Sequence, residues 1–192
     1  TPHDAYGLMA TALRTKGVTV YFEDRMIEDS GPWLEDDLIV AEAVPFGSLN
    51  NRWLKYEGWT YRRKQPVVTV LTYGVMRQRV ERVVSTWLET WGGDDFDEPN
   101  LSVDLLDLRS IYPVDFDYLK NGRYGVFKRT GKLLIIEPDV QYGGVGAEIA
   151  AMVMEQMPNV RVKRLGARRA TVPAAASLHK YFLPSDQEII DA

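Results

Sequence analysis

From residue 66 onward, the hydrophobic and polar positions follow two alternating patterns. The apolar, β-branched run Val67–Thr72 is typical of a strand that is buried on both faces of a sheet. After this run, apolar residues recur at helical spacing, which predicts an amphipathic helix with one buried stripe. The residues of that stripe are Val80, Val83, Val84, Trp87, Leu88 and Trp91.

The same alternation continues towards the end of the chain. Further strands are predicted at Leu101–Leu106, Lys132–Glu137 and Val160–Leu165, and further helices at Phe116–Phe127, Gly146–Met157 and Asp186–Ile190. Buried strands that alternate with helices predict an α/β fold with three αβα layers and a mostly parallel sheet. Crossovers between such strands are right-handed almost without exception.

The first 24 residues carry a separate helix and strand pattern. Leu8, Met9, Ala12 and Leu13 lie on one helical face, and the β-rich run Val18–Phe22 follows. One helix and one strand bury too little surface to fold alone, so they need a larger sheet to join.

The region between these two patterns has the composition of a connector. Residues 25–65 lack sustained periodicity and contain turn-forming proline and glycine, with a short strand predicted around Arg52–Tyr56. We therefore expect a terminal helix and strand of a truncated first domain at 1–24, a linker at 25–65 and a second domain at 66–192. The chain has no initiator Met and begins directly with the helical pattern, so we expect part of a longer protein.

Composition narrows the class of protein. The 192 residues carry a net charge of −4 with mixed signs, which argues against nucleic-acid binding. No apolar run approaches the roughly 20 residues needed to cross a membrane. There is no cysteine, which excludes disulfides and thiolate chemistry. The first residues form no secretory signal, so we expect an intracellular protein, in the cytoplasm or in the mitochondrial matrix of a eukaryote.

The motifs that usually carry chemistry are weak in this sequence. The turn Tyr142–Gly146 joins a strand to a helix but lacks the G-x-G-x-x-G spacing, which favours a packing turn over a nucleotide site. His3 and His179 are far apart and form no metal-ligand pattern. The acidic run Asp94–Glu98 lacks the spacing of a calcium loop. No catalytic, cofactor-binding or metal-ligating residue is assigned.

Charged residues at strand ends are better candidates. Asp107 and Arg109 follow one predicted strand and Glu137 ends the next, where ligands gather in open α/β sheets. Arg109 could instead pair with a carboxylate, nearby or across a subunit interface, and so fix its loop. The candidates for an anion site or an interface are Arg109, Glu137, Gly143, Gly144, Gly146 and Glu148.

Six segments in the same order resemble one family. Asp107–Asp115 reads D-L-R-S-I-Y-P-V-D, which resembles the D-L-R-[ST]-[IL]-x-P-x-D segment of the β subunits of 2-oxo acid dehydrogenase E1 components. The other segments similar to that family are Asp4–Leu8, Val20–Glu23, Pro45–Gly47, Thr130–Glu137 and Gly143–Ala150. Together they cover nearly the whole chain.

The resemblance implies the fold and the activity of a parent enzyme. It implies a transketolase-type C-terminal domain preceded by the tail of a pyrimidine-binding domain. The parent complex would use thiamine diphosphate and Mg²⁺ to decarboxylate a 2-oxo acid and pass the acyl group to lipoamide. The expected partners are an E1 α subunit, a second β subunit and the subunit-binding domain of the acyltransferase, E2. The cofactor would be bound elsewhere, so we expect no catalysis by this chain alone.

Two features depart from the family pattern. The predicted linker is rich in tryptophan, at Trp33, Trp53 and Trp59, and these aromatic residues are candidates for either an interface or the core. Thr15-Lys16-Gly17 places a cation where relatives can hold a structural potassium ion.

Two alternatives stay open. The first is the C-terminal domain of a transketolase-like or deoxyxylulose-phosphate-synthase-like enzyme. The second is a stand-alone module that binds an anion or a partner at Arg109 and the Gly143–Gly146 turn.

Overall fold

The computed structural model describes residues 2–23, 49–55, 67–91, 102–114, 116–121 and 130–192. These parts of the chain contain five strands in one sheet, with the spatial order β1-β3-β2-β4-β5. The strands are β1 Leu49–Lys55, β2 Val68–Thr72, β3 Ser102–Leu108, β4 Lys132–Val140 and β5 Arg161–Ala167.

Four of the strands are parallel and the fifth is not. β2 pairs in parallel with β3 and with β4, and β4 pairs in parallel with β5. β1 adds to the outer side of β3 in the antiparallel sense, with Leu49 opposite Leu108. The prediction of an α/β fold with a mostly parallel sheet is confirmed.

The described helices cover both faces of this sheet. Their bounds are α1 Pro2–Arg14, α2 Val75–Trp91, α3 Phe116–Asn121, α4 Val145–Gln156, α5 Ala176–Phe182 and α6 Asp186–Ile190. One core cluster joins α2 and Ile189 of α6 to one face. A second cluster joins Leu119 of α3 and Ile149 of α4 to the other face.

The alternation of side chains along the strands divides the core between the two faces. Val70 and Ile136 belong to the cluster under α2, whereas Leu71 and Ile135 belong to the cluster under α4. Each of these side chains is at most 2% exposed, and burying one stabilises the fold by about 1.5–3 kcal/mol. The continuous apolar runs in the sequence follow from this two-sided burial.

Several predicted elements differ in extent. The predicted strand at Arg52–Tyr56 is observed as Leu49–Lys55, and β4 continues three residues beyond Glu137 to Val140. The helix predicted at Phe116–Phe127 is observed to Asn121, beyond which its predicted remainder lies outside the described residues. Helix α5 was not predicted.

The prediction of a strand at Val18–Phe22 is wrong. The structure gives no strand at these residues, and none of the described strands pairs with them. A β-rich run becomes a strand only where a neighbour takes up its backbone hydrogen bonds. The acidic run at 94–98, Trp33 and Trp59 lie outside the described residues.

Candidate functional site

The polar residues of interest gather at one edge of the sheet. Strands β2, β3 and β4 are parallel neighbours, so their carboxyl ends meet at this edge. The chain leaves β2 towards β3 and leaves β4 towards β5, which makes the gap between β2 and β4 a topological switch point. Open α/β sheets bind ligands at such points.

Glu137 is the centre of a buried hydrogen-bonded group. Its carboxylate is fully buried, with 0% exposure. Oε2 accepts the backbone N–H of Gly146 at 2.7 Å, and Oε1 accepts Nη2 of Arg164 at 2.9 Å. Arg164 also donates to the carbonyl of Gln141, which closes the turn between β4 and α4. A buried carboxylate is tolerated here because it is paired and hydrogen-bonded.

Tyr73 connects Glu137 to a second carboxylate. This residue follows β2 directly, and its hydroxyl lies 3.2 Å from Oδ2 of Asp139 and 3.4 Å from Oε2 of Glu137. Burial, with the negative charges of Asp139 and Glu137, holds the pKa of Tyr73 far above its ordinary value. Tyr73 therefore stays protonated and donates hydrogen bonds to the two carboxylates. We call Tyr73, Glu137, Asp139, Gly146 and Arg164 the Glu137 cluster.

The glycines of the turn make room for that carboxylate. A Cβ at Gly146 would lie 2.6 Å from Oε1 of Glu137, and one at Gly144 would lie 2.8 Å from Oε2. Gly143 adopts a positive φ of 76°, which favours glycine. The turn that the sequence offers as a possible anion site therefore encloses a carboxylate of the chain itself.

A second charged group lies at the end of β3. Nη1 of Arg109 donates to Oδ1 of Asp4 on α1 at 2.7 Å. Nε of Arg77 on α2 lies 3.8 Å from Oδ2 of Asp107, and the same arginine pairs with Glu81. We call Asp4, Arg77, Glu81, Asp107 and Arg109 the Asp107 cluster.

The environment of Asp107 shifts the pKa of its carboxyl group. Burial raises the pKa of its carboxyl group to about 6, although the positive charge of Arg77 opposes the shift and the negative charge of Asp4 adds to it. Leu105 and Ile135 lie two positions before Asp107 and Glu137, and they belong to different core clusters. Because residues two apart on a strand share a face, Asp107 and Glu137 lie on opposite faces of the sheet.

The structure thus separates the residues proposed from the sequence. Glu137, Gly144 and Gly146 come together, and Gly143 forms the turn beside them. Glu148 is exposed in the first turn of α4, and Arg109 belongs to the Asp107 cluster. Sequence reasoning missed Tyr73, Arg164 and Asp139 in the Glu137 cluster. The position of Tyr73 directly after a buried strand was the one available signal.

The remaining aromatic and histidine residues are divided between core and surface. Trp87 packs against the α2 side of the core, whereas Tyr112 is 90% exposed. The guanidinium of Arg169 lies 4.8 Å from the ring centre of Tyr142, which is also exposed. Nε2 of His179 lies 2.6 Å from the carbonyl of Pro173, a structural contact within the C-terminal segment.

The described part of the carboxyl edge does not fit a magnesium diphosphate group. Such a group needs N–H or cationic donors, yet the N–H of Gly146 and Nη2 of Arg164 both donate to Glu137. Among the described residues, no three histidine or acidic side chains are placed to hold a metal ion. Nor is any described helix both long and apolar enough to span a bilayer.

Comparison with known proteins defines the class to which this fold belongs. Residues 57–189 match the family "Transketolase, C-terminal domain", and the chain belongs to that family. The whole chain is similar to β subunits of 2-oxo acid dehydrogenases. It is 25% identical to the pyruvate dehydrogenase E1 component subunit beta of Rickettsia bellii, over 98% of this chain and 51% of that protein.

Two further relatives are also named as β subunits of 2-oxo acid dehydrogenases. The 2-oxoisovalerate dehydrogenase subunit beta of Bacillus subtilis is 26% identical over 98% of this chain and 51% of its own length. The pyruvate dehydrogenase E1 component subunit beta of Porphyra purpurea is 28% identical over 100% of this chain and 51% of its own length. The chain therefore spans about half the length of these relatives, which indicate a C-terminal domain of the E1 β type.

Proposed function

We propose that this chain belongs to the β subunit of a thiamine-diphosphate-dependent 2-oxo acid dehydrogenase, where it assembles subunits and does not catalyse alone. It would pack against an E1 α subunit and a second β subunit, and it would offer a docking surface to the acyltransferase E2. The parent reaction is the oxidative decarboxylation of a 2-oxo acid with transfer of the acyl group to lipoamide. The cofactor supplies the electron sink in this reaction.

An exposed apolar surface on the first 22 residues carries this proposal. The large side chains that face solvent there are Tyr6, Met9, Leu13, Val18, Val20 and Phe22. Val18 is 98% exposed, while the acidic residue Asp4 of the same segment is buried. Six large apolar side chains exposed within residues 6–22 favour an interface over a solvated surface. It supports a role in which another polypeptide surface covers this segment.

The relatives support the choice of enzyme class. Those described above are named as β subunits of pyruvate and 2-oxoisovalerate dehydrogenases, which favours a dehydrogenase over a transketolase. In this proposal, the cofactor and its metal bind to another polypeptide. The charged groups of the described carboxyl edge already form ion pairs and hydrogen bonds within the chain. The stand-alone anion-binding alternative is less favoured for the same reason.

Reconstitution tests the proposal directly. The purified chain would be mixed with the E1 α subunit and the amino-terminal half of a β subunit from the same organism. We expect co-elution in size-exclusion chromatography. We also expect decarboxylation of pyruvate or 2-oxoisovalerate, measured with an artificial electron acceptor, in the mixture and not with the chain alone.

Matched variants make the result specific. The double variant Val18→Ser/Phe22→Ser should weaken co-elution, since both side chains are exposed on the apolar surface. The double variant Val172→Ser/Tyr181→Ser removes two other exposed apolar groups, 62% and 64% exposed, and should leave co-elution unchanged. Turnover by the chain alone would contradict the assembly role. Absence of co-elution, with saturable binding of inorganic phosphate in calorimetry, would favour the stand-alone module.

A further inference from the structure

Among the described residues, a charged pair links the first helix to the sheet. Asp4 and Gly7, one turn apart, are the residues of α1 that are buried among those whose side chains are described. Neither core cluster of the described residues includes a residue of α1. The apolar side chains Met9 and Leu13 of this helix are exposed instead. The attachment of α1 therefore differs from that of α2 and α4, which pack through apolar stripes.

Among the described residues, a largely buried ion pair joins α1 to the end of β3. Asp4 and Arg109 are joined at 2.7 Å, and their side chains are 10% and 15% exposed. The two residues are separated by more than a hundred positions, and Arg109 directly follows β3. Charges held this far from water interact more strongly than a surface pair, and each is costly to leave alone.

The neighbouring residues strengthen the link. Tyr21 donates its hydroxyl to the carbonyl of Ala5 at 3.0 Å, so the segment after α1 is fastened back onto the helix. On the other side, Arg77 lies against Asp107 and Glu81, which anchors the end of β3 to α2. The pair Asp4–Arg109 thus links these two groups of described residues.

We propose that the Asp4–Arg109 ion pair is an electrostatic clasp that couples the first helix, with the segment that Tyr21 fastens to it, to the carboxyl edge of the sheet. When the clasp is closed, the apolar surface of residues 6–22 has a fixed orientation relative to β3. When it is open, both charges are hydrated and α1 separates while the sheet stays folded, since local opening is independent of global unfolding. The ion pair lies within this chain, so its role does not depend on the reaction that the chain serves.

Amide hydrogen exchange of the full chain tests the clasp. The substitution Arg109→Met removes the charge and keeps an unbranched apolar stem of similar length to that of arginine. We expect exchange in residues 2–14 to become faster by on the order of 100-fold, as when one member of a buried pair is lost. Exchange in β4 should change much less. Trypsin cleavage after Arg14 or Lys16 should accelerate in parallel.

A second variant and a control separate coupling from general instability. Asp4→Asn should release α1 in the same way, and the charge swap Asp4→Arg/Arg109→Asp should restore part of the protection. The matched control Arg169→Met changes an exposed arginine that stacks on Tyr142 and should leave α1 unchanged. Unchanged exchange in α1 for both single variants would overturn the proposal. So would an equal acceleration in α1 and β4, which would mean that the pair stabilises the whole domain.

Discussion

At the scale of single residues, the buried carboxylate of Glu137 decides which side chains its neighbours can carry. A methyl group at Gly146 would lie 2.6 Å from Oε1 of Glu137 and 2.9 Å from Cγ2 of Ile135. Both neighbours are buried and neither can move freely. We expect Gly146→Ala to lower the free energy of unfolding by about 2–3 kcal/mol, measured by urea denaturation.

The control for this change lies in the same turn. Gly143 has open space around its would-be Cβ but a positive φ, so Gly143→Ala should cost only about 1 kcal/mol from backbone strain. Equal losses for the two variants would mean that the Glu137 carboxylate moves aside and does not constrain the turn.

Asp107 should make stability depend on pH. Its carboxyl group has a pKa of about 6 in the folded chain and an ordinary value of 3.8. A raised carboxyl pKa stabilises the fold fully below pH 3.8, and this contribution is lost as the pH rises through about 6. We expect Asp107→Asn to be more stable than the parent chain by about 1–3 kcal/mol at pH 7.5, with the difference shrinking towards pH 4.

Asp186 provides the contrasting case. Burial alone would raise the pKa of Asp186, but hydrogen bonds from Arg79 and Arg82 hold it below the ordinary value. Its contribution is therefore present at neutral pH and lost as the pH falls. Thermal unfolding of Asp186→Asn between pH 4 and 7.5 should show the opposite trend to Asp107→Asn. The same trend in both variants would contradict the assigned environments.

At the scale of elements, the C-terminal helix α6 shows how a short segment is held. Ser185 caps it and Glu188 completes the capping box, while Ile189 inserts into the core beside α2. A five-residue helix has little stability of its own, so this apolar contact decides whether it forms. The sequence predicted Asp186–Ile190 as a helix, and the structure confirms those bounds.

Adjacent isoleucines test that account. Ile189 is 5% exposed and Ile190 is 41% exposed. We expect Ile189→Ala to lower the free energy of unfolding by about 2–4 kcal/mol because it leaves a cavity. Ile190→Ala should change it by less than about 1 kcal/mol. Chemical denaturation of the two variants checks the difference, and similar values would show that α6 does not dock through Ile189.

Two strand predictions outside the regular part of the sequence had different outcomes. Val18–Phe22 is rich in β-forming residues, yet it forms no strand in the described structure. The short strand predicted around Arg52–Tyr56 is observed as β1, Leu49–Lys55, although it contains Asn50, Asn51 and Arg52. β-propensity measures how well a residue fits a pleated, partly buried surface. Whether such a surface is available depends on residues far away in the chain.

At the scale of the whole molecule, the apolar surface of the first 22 residues should govern association. Leu13 and Val18 are 81% and 98% exposed, so replacing them costs little stability. We expect Leu13→Ser/Val18→Ser to keep the free energy of unfolding within about 0.5 kcal/mol per site. Binding of a hydrophobic dye, and any concentration-dependent association in sedimentation, should fall. Unchanged dye binding would mean that the surface responsible for association lies outside the first 22 residues.

The sequence by itself determined the alternation of buried strands and helices, and hence the α/β class, because two-sided burial leaves a continuous apolar run in each strand. It also contained the segments that resemble E1 β subunits. Tertiary structure alone decided that β1 joins β3, that Glu137 is enclosed by Tyr73, Arg164 and the glycine turn, and that Asp4 meets Arg109. The glycine turn lies 9 positions from Glu137, but the pairs Glu137–Arg164 and Asp4–Arg109 join residues 27 and 105 positions apart, and a local periodicity carries no information about partners at that separation.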